Sequence, residues 1–140
     1  MGENAAMRCA SLLLAVLLTL AGCATASRKD AYDSTVYQYS AAVRWQGIVA
    51  AQDWVDPLVR AEQSLTSLEI SRFAQYRVTG YNVLSEAEDD QGHRIRLVQI
   101  GLVNLNTLAE RVIRHREVWR WDETAKRWWL MSPPPSLDAG

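Results

Sequence analysis

An α+β domain, with helices packed on one face of a curved antiparallel sheet of about four strands, is what this sequence predicts. Two changes of rhythm carry that reading. Between residues 36 and 54 the apolar positions Val36, Tyr39, Val43, Ala50 and Trp54 recur at helical spacing and form one stripe. From Gln75 onward the period drops to two, as in strands buried on one side. The third observation is order. Helices come first and strands follow, which gives antiparallel pairing in place of an alternating parallel sheet.

Each element has its own justification. Ala24 to Asp33 is small and polar, so 23–33 reads as a tether, 34–132 as the folded domain and 133–140 as a loose tail. Asp33 or Ser34 can cap the first helix, because a short side-chain oxygen accepts from free amides in the first turn. Trp45, Ile48 and Val49 add a second apolar face, so this helix is expected to be buried on more than one side. Gly47 should split it. Asp56-Pro57 should end it, since the residue before proline avoids the helical region. A shorter helix follows through Leu65, Leu68 and Ile70 to Phe73.

Tyr76 and Val78 share a strand face, and Tyr81 and Val83 continue it with parity shifted across Gly80, which predicts a β-bulge. Glu88 to Gly92 is a turn. Ile95 to Leu105 is a long apolar strand, with a phase shift expected at Leu97-Val98. Arg111 to Trp121 alternates strictly. A loop of Glu123 to Lys126 would then pair Asp122 with Arg127, Trp121 with Trp128 and Trp119 with Leu130. The prolines from Pro133 to Pro135 stop the last strand, having no N–H for the ladder.

The amino terminus reads differently. Arg8 precedes an apolar run from Ser11 to Leu20, about half of the ~20 residues needed to span a bilayer. That predicts a cleaved signal at 1–22. Leu20-Ala21-Gly22-Cys23 resembles the lipobox of bacterial lipoproteins. The resemblance implies a diacylglyceryl group on Cys23, cleavage between Gly22 and Cys23, and acylation of the new amine. Two or more chains anchor firmly where one is marginal, at ~0.8 kcal/mol per buried methylene. Ala24, in place of Asp, favours the outer membrane facing the periplasm over the inner membrane. Arg28 and Lys29 read as part of a solvated linker, with contact to anionic headgroups as the alternative.

Cleavage would leave 118 of the 140 residues and, because Glu3 and Arg8 go together, the formal charge of −1. Such near-balance argues against nucleic acid as a partner. Cys9 and Cys23 are the only cysteines, so the mature domain has no disulfide and stands on packing. Its six Trp, five Tyr and one Phe all follow Cys23 and supply that packing.

From Tyr37 to Met131 the chain resembles the NTF2-like cone fold. The pieces that carry the likeness are the helix running into Asp53-Trp54-Val55-Asp56-Pro57, the bulged strands, and the hairpin Trp119-Arg120-Trp121-Asp122 to Arg127-Trp128-Trp129-Leu130. The hairpin is also similar to small uncharacterised proteobacterial lipoproteins. Fold likeness does not carry activity with it.

Alternation puts Ile113, His115, Glu117, Trp119 and Trp121 on one face with Trp128 and Leu130, the expected concave side. Such a Trp cluster is more often core; if the cone is hollow, Ile113, Trp119, Trp121, Trp128 and Leu130 are the expected lining of its pocket. His115 and Glu117 are the candidate catalytic residues, an acid–base pair whose pKa values an apolar hollow would shift. Arg111, Arg114, Arg116 and Arg120 make a basic strand that suits phosphate, a sugar acid or a solvated face with cross-strand ion pairs. Arg120 is placed over Trp129. His93 and His115 are the only histidines and lack metal-ligand spacing, so no metal is expected. Gly92 and Gly101 belong to no phosphate loop, and no cofactor is expected.

The function these readings favour is a membrane-anchored domain that binds or scaffolds a protein partner or a small apolar ligand. Two alternatives stand beside it: an enzyme using His115 and Glu117, and a structural subunit of an envelope assembly, which would show an exposed apolar patch in place of a pocket. A homodimer through the open sheet face fits the same architecture.

Overall fold

The computed structural model describes residues 26–138. The expected signal, the lipobox and Cys23 lie outside the described residues. Residues 26–46 are helical (α1), so the stretch 26–33 is not an extended tether. Its Tyr32 is 2% exposed and sits edge-on to Trp128, with ring centroids 5.1 Å apart. The buried stripe simply begins one heptad earlier than Tyr39, at Tyr32. Gly47, with φ of +91°, breaks the helix as expected, and a 3-10 helix follows over Ile48–Trp54.

The helical run ends just before Asp56-Pro57, at Trp54, and the same dipeptide also starts a helix. Val55 is extended and bridges Leu130 in parallel, and the Asp56 amide donates to the Leu130 carbonyl at 2.9 Å. Pro57 is then the first residue of α2 (Pro57–Glu62), where its missing N–H costs nothing. The Asp56 carboxylate caps that helix by accepting the Leu58 amide at 2.9 Å. The next helix, α3 (Ser67–Phe73), starts on a capping box in which Thr66 and Glu69 satisfy each other's amides.

Four strands follow: β1 (Tyr76–Glu88), β2 (Arg94–Asn104), β3 (Glu110–Asp122) and β4 (Arg127–Leu130). They form one open antiparallel sheet in the order β1-β2-β3-β4. The register shifts between Val78 and Gly80, the expected bulge, and again between Val83 and Ser85. Gly101 lies opposite the first bulge, where an added Cβ would meet the Thr79 hydroxyl at 2.9 Å. No phase shift occurs at Leu97-Val98. Arg96, Val98, Ile100 and Leu102 are buried in strict alternation, so β1 carries the irregularity and β2 is regular.

The helical layer packs on the inner face of this sheet. Tyr39 lies at the centre, edge-on to Trp119 at 5.0 Å and to Trp54 at 5.9 Å. Around it Val43, Ile48, Ala51 and Val55 meet Val98, Ile100, Leu102, Ile113 and Leu130. Aromatic edges of this kind add to burial, by ~0.5–1.5 kcal/mol per pair. The carboxy-terminal segment is not loose up to 138. Leu137 is buried in the core, and Asp138 accepts from Arg72 at 3.0 Å.

Candidate functional site

Cross-strand register sets the chemistry of the inner face. Ile100 and Ile113 are partners, and Tyr81 faces Ile100 from β1; this end is apolar. Toward the two hairpins the rows turn polar. Glu86, Arg96 and Glu117 are aligned across three strands, and Glu88, Arg94 and Trp119 form the next row.

Glu117 is fully buried. It accepts a hydrogen bond from the Tyr81 hydroxyl and another from Trp119 Nε1 at 3.1 Å, with Arg96 Nη1 at 3.4 Å. Burial nonetheless pushes its carboxyl above the usual range, and those three neighbours only partly oppose it. Tyr39 and Tyr81 are pushed up as well, by burial first and the Glu117 charge second. His115 stands two residues away in the row of Val98. Its Nε2 is buried without a partner among the described residues, and burial lowers its pKa to about 4.

No hydrogen bond joins His115 to Glu117 among the described residues, although both lie on the inner face as alternation predicts. Nor do they border a hollow. Ile113, Trp119 and Leu130, expected to line a pocket, are fully buried core side chains. The ring of Tyr39 fills the space over Trp119.

Trp121 and Trp128 behave differently: they border a cleft of about 590 Å³. It opens between the first described turns of α1, the β1–β2 turn and the β3–β4 hairpin, with Arg28, Lys29, Tyr32 and Arg94 in its walls. The hairpin itself has the anticipated register, Asp122 to Arg127, Trp121 to Trp128 and Trp119 to Leu130. Both indoles are locked by their N–H groups. Trp128 donates to the Arg28 carbonyl at 3.0 Å and Trp121 to Glu123 at 3.0 Å. Arg28 pairs with Glu123 and lies 5.7 Å over the Trp121 ring. Arg94 donates to Glu88 at 2.9 Å and to Glu86 at 3.0 Å, and its guanidinium lies 4.9 Å over Tyr32.

The basic strand does not act as one cluster. Arg114 and Arg116 are exposed, Arg111 shares the parity of Ile113, and Arg120 donates to Asp56 at 2.8 Å. The cation over Trp129 is Arg127, at 3.7 Å, and not Arg120. Among the described residues no group of three or more His, Cys, Asp or Glu could hold a metal ion, and no helix is long and apolar enough to cross a membrane.

Sequence reasoning missed Glu86, Arg94, Arg96 and the role of Tyr32. The signal was present. Counting back by twos from Leu102 puts Arg96 and Arg94 on the buried face, and the turn after Glu88 sets Glu88 against Arg94.

Fold and cleft together define an α+β domain with helices against an open four-stranded antiparallel sheet. The chain matches no family model, no curated protein and no solved structure.

Proposed function

We propose that the chain is an envelope lipoprotein, anchored through acylated Cys23 after cleavage behind Gly22, whose NTF2-like domain binds a ligand at the cleft by Trp121 and Trp128. The lipobox residues and the short apolar run before them support the anchor. The order of helices, bulged strands and closing hairpin supports the cone-type fold. One observation carries the functional reading: the cleft is walled by Arg28 and Lys29, five and six residues beyond Cys23. At ~3.3–3.6 Å per residue, its mouth lies at most some 20 Å of chain from the acylated sulfur. The site would thus work at the membrane surface, on the periplasmic side of the outer membrane by the residue after Cys23. Binding is favoured over acid–base catalysis because His115 and Glu117 share no hydrogen bond and the space beside them is packed.

Intact-mass analysis of protein purified from membranes tests the anchor. The expected mass is that of residues 23–140 carrying diacylglyceryl and acyl groups; a free thiol at Cys23 or a later start overturns it. A photo-crosslinker at Gln91, in the cleft wall, tests the binding role. It should trap a small molecule or a partner that the same group at exposed Arg116 does not; equal trapping at both positions counts against the cleft.

A further inference from the structure

The described residues contain six buried side-chain nitrogen or oxygen atoms without a hydrogen-bond partner, and five of them belong to four residues around the polar rows: Tyr32 Oη, Tyr39 Oη, Arg94 Nε, Arg96 Nε and Arg96 Nη1. Tyr32 and Tyr39 stand two turns apart on one side of α1, and Arg94 and Arg96 alternate on the inner face of β2. Tyr32, Tyr39 and Arg96 are each at least nine-tenths buried. All five atoms can donate a hydrogen bond, and none makes a well-formed one among the described residues, although Arg96 Nη1 lies 3.4 Å from Glu117 and Arg96 Nε 3.8 Å from Glu86. A buried donor left unmatched is costly, so a native fold with several together is a place where something else accepts.

We propose that the cleft binds the oxyanion head of a small ligand, a phosphate or carboxylate group, between Arg94 and Tyr32, with Arg96 and Tyr39 behind them. Guanidinium groups match such oxygens in geometry as well as in charge. The acceptors already present do not suffice. Glu86 is shared, 3.0 Å from Arg94 and 3.8 Å from Arg96, and Glu117, which accepts from Tyr81 and Trp119, meets Arg96 only at 3.4 Å. Tyr32 and Arg94 both stand in the cleft wall, where the Arg94 side chain, 30% exposed, is held by Glu86 and Glu88. An entering oxyanion would compete with those carboxylates for its guanidinium. At the rim Arg28 pairs with Glu123 and Lys29 with Asp33, and Glu88 shares the wall, so selection of an anion falls to the inner donors.

This inference rests on the reading of the cleft as a ligand site and is independent of the anchor. The test follows the arginine Nε–H and tryptophan indole N–H signals of the ¹⁵N-labelled full chain by NMR. Four probes are added in turn: inorganic phosphate, acetate, dihexanoyl phosphatidic acid and neutral cyclohexanol. Phosphate or acetate is expected to move the Arg94 and Arg96 Nε–H signals. Arg94→Gln should weaken phosphate binding about tenfold or more, as loss of a charged hydrogen bond does, and Tyr32→Phe, which removes one oxygen and keeps the ring, about threefold. Arg116→Gln on the outer face should bind like the parent. Tighter binding of the phosphatidic acid than of phosphate assigns the oxyanion to a lipid headgroup; equal binding assigns it to a free solute. Nε–H signals unmoved at saturating phosphate and acetate, or undiminished affinity in both Arg94→Gln and Tyr32→Phe, overturn the proposal. If cyclohexanol alone moves the Trp121 indole signal, the oxyanion inference falls and the cleft reading stands. If no probe moves any of these signals, both fall.

Discussion

The two ends of the inner sheet face are built on opposite rules. At one end Ile100, Leu102 and Ile113 meet Val43 and Ile48 without a polar side chain among them. At the other, Glu86, Arg94, Arg96 and Glu117 occupy the equivalent inward positions of the same three strands. Both ends are covered by helix, and both present buried side chains. The apolar end gains from every methylene removed from water, and small changes there have small effects. The polar end holds only while its hydrogen bonds are intact, because each broken partner strands another buried group. Loss of stability is graded at the apolar end and abrupt at the polar one.

The largest effect that would break this contrast comes from Glu117. Glu117→Ala should cost about 3–5 kcal/mol in urea unfolding, since it leaves the Tyr81 hydroxyl, the Trp119 indole and Arg96 without their acceptor. Glu117→Gln keeps an acceptor of the same shape and should cost much less. Its pH dependence has a defined sign. The folded carboxyl is raised above its unfolded value, so the native state holds the proton more tightly, and stability from this group falls as pH rises through that window. Glu117→Gln removes that fall, and its stability relative to the parent should improve from acid toward neutral pH. An unchanged difference between the two proteins across that range would place Glu117 outside the low-dielectric interior.

His115 gives the next effect, with the opposite slope. Its folded pKa of about 4 lies below the ordinary value of 6.5, so the unfolded chain binds the proton first. The stabilisation is fully present above 6.5 and is lost as pH falls toward 4, up to roughly 3 kcal/mol in all. His115→Leu should therefore flatten the acid limb of a denaturation series. An acid limb as steep as the parent's would show that His115 titrates like a solvated imidazole. The smallest effect belongs to the apolar end. Ile100→Val removes one methylene from a fully buried side chain and should cost about 1 kcal/mol, with no pH dependence.

Legibility in the sequence follows the same division. Alternation placed Ile113, His115, Glu117, Trp119 and Trp121 on the inner face, and turn chemistry gave the register of the β3–β4 hairpin. The Gly80 bulge was readable because a parity shift and a glycine coincide there. The buried charges went unread although the alternation of β2 reaches them, since Arg94 and Arg96 interrupt the apolar pattern and their partners Glu86 and Glu117 lie on other strands. The second role of Asp56-Pro57 was missed for a related reason. The extended residue before proline closes one helix and caps the next, with the bridge from Val55 to Leu130 between them. The small polar run before Tyr32 concealed a helix whose reason to form is tertiary: the Trp128 indole that holds the Arg28 carbonyl.

That short bridge from Val55 has one more consequence. A lone four-residue strand at the rim of a sheet is a template on which any extended peptide can polymerise. The protein's own backbone occupies this rim, with Val55 alongside Leu130 and the Asp56 amide on its carbonyl. The opposite rim, β1, is guarded by other means: two kinks and the carboxylates Glu86 and Glu88. One rim is thus shortened at Leu130 by the chain's own backbone and the other is interrupted by two register shifts, so neither offers a long straight edge to an added strand.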